Sequence, residues 1–106
     1  MKNPKNFNIK INGLRWEVKF LTAEEIGDFN GLCYHSELRI EIRKELPKPI
    51  ARLRYIHELV HAIMGCQGRI FQKKYTDEEV CESMAYGYDQ LKAAVDAFDA
   101  AEANCD

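Results

Sequence analysis

Residues 50–64 read IARLRYIHELVHAIM, and this stretch decides the fold that we expect for the chain. Apolar residues recur in it at spacings of three and four, which is typical of a helix with one face in a core. The stripe consists of Leu53, Ile56, Val60 and Ile63. Gly65 follows, and glycine often stands just after the last helical residue. The sequence therefore predicts a helix over residues 50–64 that Gly65 closes.

This predicted helix contains the motif His57-Glu58-Leu59-Val60-His61. Residues four apart lie one turn apart on the same helix face, so the two imidazoles can bind one Zn²⁺. Zinc lowers the pKa of the water that it binds, and a carboxylate beside the metal can then accept the proton. The spacing predicts a catalytic zinc site in which His57 and His61 are ligands and Glu58 is the general base.

The sequence upstream of this helix predicts a small sheet. Residues 8–21 alternate apolar and polar side chains around Asn12-Gly13, a strong signal for a two-residue hairpin turn. Thr22, with Glu25 three residues later, predicts a capped helical turn over residues 22–29. Residues 37–43 alternate again and predict a third strand, which residues 46–49 end because they contain two prolines. We expect His35, before this strand, to be an ordinary surface residue.

The sequence downstream predicts a long second helix that begins at Thr76. Thr76 and Glu79 form a capping box, and an apolar stripe follows at helical spacing. The stripe consists of Val80, Met84, Leu91, Val95 and Phe98. The expected fold is therefore α+β: a three-stranded antiparallel or mixed sheet, the HExxH helix and a long C-terminal helix.

The third zinc ligand is expected from the start of the second helix, since a catalytic zinc keeps three protein ligands. Glu79 is engaged in the capping box, and Glu82 lies nearly opposite the centre of the apolar stripe, as Glu79 does. Asp77 and Glu78 lie nearer to that centre, which leaves these two candidates. The longer side chain favours Glu78 over Asp77 as the ligand.

Composition restricts the class of protein. The 106 residues suit one domain, residues 1–106, with residues 1–7 and 101–106 expected to fray. A net charge of −2 argues against direct nucleic-acid binding. The polar N-terminus and the lack of a long apolar run predict a cytoplasmic protein without a membrane partner. Its four cysteines form no CxxC pair, so we expect free thiols.

The chain resembles small phage and prophage proteins with a zincin-like fold, related to ImmA/IrrE-type metallopeptidases. The resemblance rests on Ile11-Asn12-Gly13-Leu14, on residues 57–63 and on residues 78–87, which are similar to the group's glutamate helix. It implies a phage or mobile-element origin, His57, His61 and Glu78 as zinc ligands, and Glu58 as the base. Larger members of the group often carry a DNA-binding domain; we expect none here, so a partner would have to supply DNA contacts.

These residues favour a zinc metallopeptidase that acts on an unidentified peptide or protein. An extended peptide is expected along residues 37–43 as an edge strand, and an electrophilic helper is expected among Tyr75, Tyr86 and Tyr88. One alternative is a zinc-bound protein–protein interaction module without peptidase activity. Another is a structural zinc with four ligands, the fourth being Cys66 or Cys81. The oligomeric state does not follow from the sequence.

Overall fold

The computed structural model describes residues 5–69 and 76–103 of the chain. The elements are β1 (Phe7–Ile11), β2 (Leu14–Leu21), α1 (Ala23–Ile26), β3 (Gly31–Tyr34), β4 (Arg39–Arg43), α2 (Lys48–Met64) and α3 (Asp77–Ala103). A π-helical turn, Gly65–Arg69, extends α2. This arrangement confirms the expected α+β class.

The sheet has four strands in the order β1-β2-β4-β3, so the expected count of three was wrong. Strand β2 pairs antiparallel with β1 and parallel with β4, and β3 pairs antiparallel with β4. The sheet is therefore mixed. The missed strand, β3, is only four residues long, and its sequence GLCY shows no alternation of apolar and polar side chains. A strand of this kind is defined by its neighbour and not by a local pattern.

The strand order shows that residues 37–43 do not form an edge strand, contrary to the prediction. Strand β4, which covers most of residues 37–43, is hydrogen-bonded on both sides and lies inside the sheet. It cannot accept a further strand. Among the described residues, β1 and β3 form the two edges of the sheet.

Local signals in the first half of the chain are confirmed. Asn12 and Gly13 have φ of 53° and 78°, the positive values that a tight hairpin turn requires, and Ile9 pairs with Trp16. Thr22 and Glu25 form the capping box of α1. Helix α1 is shorter than expected, because the chain leaves the helix at Gly27 with φ of 79°.

Helix α2 begins two residues earlier than predicted and does not end with a left-handed Gly65. Pro49 fits the first turn because the N–H groups there have no partner inside the helix. Gly65 has φ −61° and ψ −43°, which is ordinary right-handed helix. The positive φ that breaks the helix occurs instead at Gly68, at 83°.

One hydrophobic core joins the sheet to α2 and α3. It is formed by Ile9, Ile11, Trp16, Val18, Phe20, Ile40, Ile42, Ala51, Tyr55, Leu59, Ala62, Ile63, Ala94 and Phe98. The rings of Tyr55 and Phe98 are stacked with centroids 4.7 Å apart, and Phe7 contacts both rings edge-on. This aromatic cluster fixes how α2 and α3 lie on the sheet.

Helices α2 and α3 run antiparallel. Arg52 forms two hydrogen bonds with Asp99, and this pairing lowers the pKa of the Asp99 carboxyl. Further along, the Tyr55 hydroxyl donates to the Ala94 carbonyl oxygen at 2.8 Å. Gln67, in the π-helical turn, donates to the Ser83 carbonyl oxygen at 3.0 Å. Contacts along almost the whole of α2 therefore fix the register of α3.

The remaining predictions concern the ends of α3 and β1. Thr76 and Glu79 form the predicted capping box of α3. Strand β1 already includes Phe7, and α3 continues to Ala103, so regular structure reaches into both segments that were expected to fray. Of the connection between the two helices, which the sequence places over residues 66–75, residues 66–69 belong to the π-helical turn and residues 70–75 lie outside the described residues. No helix in the described part of the chain has the length and apolar character needed to cross a bilayer.

Candidate metal centre

The motif residues lie in the second half of α2, as the spacing predicted. His57 and His61 are exposed, whereas Glu58 is 5% exposed. Between them, Leu59 is fully buried in the core and anchors the helix. The burial of Leu59 turns the face with the two histidines outward.

The two imidazoles converge. The Nε2 atoms of His57 and His61 are 3.2 Å apart, and the rings meet edge to face. Two tetrahedral ligands at zinc distances of 2.0–2.1 Å would be about 3.3 Å apart. The observed separation fits two ligands of one zinc ion. It also allows a hydrogen bond between the rings when one Nε2 carries the proton.

Glu58 lies on the side of α2 that faces strand β3. Its Oε2 is 3.8 Å from Nη1 of Arg54, one turn earlier in the helix. A Cβ on Gly31 would stand 3.2 Å from this oxygen and 2.6 Å from Cγ of Arg54. Gly31 therefore leaves the space in which the Arg54–Glu58 pair lies. The positive charge of Arg54 compensates a carboxylate that would otherwise be costly to bury.

Cys33 lies two residues after Gly31 in β3 and is close enough to Glu58 for their charges to interact. Burial, and then the charges of Glu58 and Cys66, raise the pKa of the Cys33 thiol to about 12. Burial likewise raises the pKa of Cys66. Both thiols are therefore protonated at neutral pH, which argues against either being a nucleophile in this state.

His35 was expected to be an ordinary surface residue, and this expectation was wrong. It is half-buried, and its Nε2 is 2.9 Å from the carbonyl oxygen of His61. Its ring lies nearly perpendicular to that of Trp16 and occupies the space beside Gly65. Its position before a strand gave no local signal, since the contact joins residues 26 positions apart.

The structure does not bring Glu78 to the histidine pair. Glu78 is exposed near the start of α3. Gln67, six residues past His61, contacts Ser83. Because the helices run antiparallel, Glu78, five residues before Ser83, lies still further from His61 along the helix axis. Over these 11 residues, at 1.5 Å per residue, the offset along the helices is about 16 Å.

The orientation of α2 separates Glu78 from the pair as well. Tyr55 and Ile63 lie on the side of α2 that contacts α3. At about 100° per residue, the direction midway between His57 and His61 around the helix axis lies about 180° from the direction midway between Tyr55 and Ile63. Helix α3 therefore packs on the opposite side of α2 from the two imidazoles.

The remaining candidates are distributed along α3. Glu79 accepts from the Thr76 hydroxyl in the capping box, and Glu82 is exposed. Tyr86 and Tyr88, considered as electrophilic helpers, are 81% and 57% exposed. The side chain of Asp77, and the whole of Tyr75, lie outside what the structure describes.

Within residues 5–69 and 76–103, no group of three His, Cys, Asp or Glu side chains is close enough to hold a metal ion. The chain thus presents two converging ligands and an adjacent buried carboxylate. Comparisons of the chain with protein-family models, with curated proteins and with solved structures find no match. The geometry of this site is therefore the basis for assigning a function.

Proposed function

We propose that the chain is a zinc-dependent metallopeptidase in which His57 and His61 hold the metal and Glu58 is the general base. The observation that carries the proposal is the 3.2 Å separation of the two Nε2 atoms on the exposed face of α2. The adjacent carboxylate, Glu58, is buried and charge-compensated by Arg54. Two imidazoles that can bind one metal ion, beside a carboxylate, supply two of the three ligands and the general base that hydrolysis at zinc uses.

Zinc, when bound, supplies a Lewis acid that acidifies water and polarises a peptide carbonyl. Glu58 accepts a proton from the attacking water at a carboxylate oxygen and transfers it to the nitrogen of the leaving amine. Arg54, 3.8 Å from Oε2, keeps Glu58 on the side of α2 that faces β3. The histidines then lie on the solvent side of the helix, and the base lies between them and the sheet.

The edge strand β3 supports a peptide as the substrate. Asn30 and Arg43 share a backbone hydrogen bond across the β3–β4 pair, and bonded pairs alternate along an antiparallel ladder. The N–H and C=O groups of Gly31 and Cys33 therefore point away from β4. An extended peptide that bonds to these groups would pass beside Glu58, because Gly31 adjoins its carboxylate.

Glu78 stays the proposed third ligand on the strength of the resemblance, with Asp77 as the alternative. The geometry of the described residues supports only His57 and His61 as ligands, because α3 packs on the opposite side of α2 from the two imidazoles. The variant Glu78→Ala therefore has a defined purpose. Loss of zinc in this variant requires α3 to approach the histidines in the zinc-bound protein. Retention of zinc means that the third ligand is another residue.

The test is the zinc content of the purified protein, measured by elemental analysis with the fold checked by circular dichroism. We expect near-stoichiometric zinc in the wild type and in Glu58→Gln, and loss of zinc in His61→Ala. Glu24→Gln, an exposed acid on α1, is the matched control and should behave as wild type. Folded wild type that contains no zinc, and takes up none on addition, would overturn the proposal.

Peptidase activity is tested on a mixture of unstructured peptides, with products identified by mass spectrometry. Zinc-loaded wild type should generate new termini, and Glu58→Gln should be at least about 100-fold slower, the usual scale for loss of a general base. Cleavage that persists in Glu58→Gln would exclude Glu58 as the base. Zinc binding without any cleavage would favour the second candidate function.

That second candidate is a zinc-bound protein–protein interaction module. It is favoured by the apolar side chains of Ile50 and Leu53, which are 47% and 66% exposed on α2. At helical spacing both lie on the same face as His57, Leu53 one turn and Ile50 two turns before it. An interaction module should keep its cellular activity in Glu58→Gln, whereas a peptidase should lose it.

A further inference from the structure

His35 lies in the turn between β3 and β4 and reaches across to the end of α2. Its Nε2 atom is 2.9 Å from the carbonyl oxygen of His61. A carbonyl oxygen accepts only, so His35 must donate from Nε2. The same carbonyl oxygen also accepts from the Gly65 N–H, within the helix. Two donors therefore hold the backbone of the second proposed zinc ligand.

Gly65 is the residue that makes this contact possible. A Cβ at position 65 would stand 2.2 Å from Cδ2 and 2.4 Å from Nε2 of His35. The backbone of Gly65 is ordinary right-handed helix, a conformation that any residue adopts. Glycine is therefore needed here for the space that the imidazole occupies and not for its conformational freedom.

The other side of the His35 ring is supported by the sheet. Trp16, which is 1% exposed, meets the ring edge to face at 6.1 Å. The Cys33 sulfur lies 3.9 Å from Nε2. The ring is therefore enclosed between β2, β3 and the end of α2, and its orientation is fixed by contacts on several sides.

We propose that His35 is a positioning residue for the metal site, which rests on the function proposed above. By holding the His61 carbonyl, His35 fixes the last turn of α2 and thus the direction of the His61 imidazole relative to His57. Groups that orient a metal ligand commonly influence metal affinity by 10–100-fold, although they do not touch the metal. The His35 bond is to the backbone of His61, so the lower end of this range applies.

The test compares two substitutions of His35 by zinc affinity, measured in competition with a chromophoric chelator. His35→Phe keeps the ring against Trp16 and Gly65 but has no donor, and it should weaken zinc binding about 10-fold. His35→Gln keeps an N–H near the position of Nε2 and should stay within about threefold of wild type. A role in packing alone predicts the opposite order, because phenylalanine preserves the shape of the ring better.

Gly65→Ala provides an independent test that does not change His35. Alanine favours the helix, but its Cβ would displace the imidazole from the His61 carbonyl. We expect Gly65→Ala to weaken zinc binding in wild type and to have no further effect in a His35→Ala background. Equal effects in both backgrounds would contradict the proposal, because they would show that Gly65 acts without His35.

The spectroscopic readout is the tautomer of His35 in the zinc-bound protein, determined from ¹⁵N chemical shifts. The proposal requires a proton on Nε2 of His35, and that signal should be absent in His35→Phe. Folded wild type that binds no zinc would overturn the proposed function, and this inference with it. Zinc bound equally well by wild type and His35→Phe would overturn this inference alone. If His35→Phe does not fold, the Gly65→Ala pair decides.

Discussion

The two sides of α2 differ in what they contact and in how their residues are spaced. The side toward α3 carries Tyr55 and Ile63, both buried, and its partners on α3 are fixed by hydrogen bonds and close packing. The opposite side carries His57 and His61, both exposed, with Leu53. One helix of 17 residues thus combines a stabilising face with a chemically reactive face.

A small domain can thus carry a chemically reactive face on a helix that also supplies part of its core. Burial of Tyr55 and Leu59 fixes the rotation of α2 about its axis, and the rotation in turn fixes which way the histidines point. Residues next to each other in sequence therefore have separate roles. Substitutions on the core side should change the free energy of unfolding, and substitutions on the histidine side should change zinc binding.

The largest expected effect is that of Leu59→Ala. Leu59 is fully buried, and the substitution should lower the free energy of unfolding by about 2–5 kcal/mol. His57→Ala, two residues away on the exposed side, should change it by less than about 0.5 kcal/mol and abolish zinc binding. Urea unfolding of the zinc-free proteins measures both values. Similar losses of stability in the two variants would remove the distinction between the faces.

An intermediate effect is expected for Tyr55→Phe. The variant keeps the stack on Phe98 and loses the hydrogen bond to the Ala94 carbonyl oxygen, so we expect a loss of about 1 kcal/mol. Tyr88→Phe, an exposed tyrosine on α3, is the matched control and should be neutral. Urea unfolding at pH 8 checks the prediction. A neutral Tyr55→Phe would mean that the stack alone joins the helices here.

We also expect the stability difference between wild type and Tyr55→Phe to depend on pH. Burial, and then the charge of Asp99, raise the pKa of the Tyr55 hydroxyl above its usual value of about 10. The stability that neutral Tyr55 contributes is complete below pH 10 and decreases as pH rises toward the folded-state pKa. The stability difference between wild type and Tyr55→Phe should therefore be smaller at pH 11 than at pH 8. A constant difference would contradict the raised pKa.

The smallest effect on stability is expected for Leu53→Glu. Leu53 is 66% exposed on the histidine side, so the free energy of unfolding should change by no more than about 0.5 kcal/mol. Zinc content should also be unchanged. If the chain is an interaction module, however, a charge at this position should abolish partner binding in cells. A large loss of stability would mean that Leu53 is covered in solution.

Local signals in the sequence predicted a large part of the fold. Asn12-Gly13 predicted the hairpin because few other residue pairs tolerate two positive φ values. Both capping boxes formed where Thr and Glu are three residues apart. The HExxH spacing placed His57 and His61 on one face of a helix, since that relation depends only on helical geometry.

Non-local contacts account for the parts that the sequence did not predict. Strand β3 exists because β4 pairs with it, and that pairing made β4 an inner strand in place of the expected edge. The position of Glu78 relative to the histidines depends on contacts such as Tyr55 with Ala94, 39 residues apart. A capping box and an apolar stripe give the length of a helix but not the side on which it packs.

The sequence by itself determined the hairpin, the capped helices and the pairing of His57 with His61, because each follows from backbone preferences within a few residues. Only the tertiary structure decided the strand order, the side of α2 that α3 covers and the contact between His35 and His61. These features depend on which buried surfaces fit together, since core packing selects one arrangement among several that the same local elements allow.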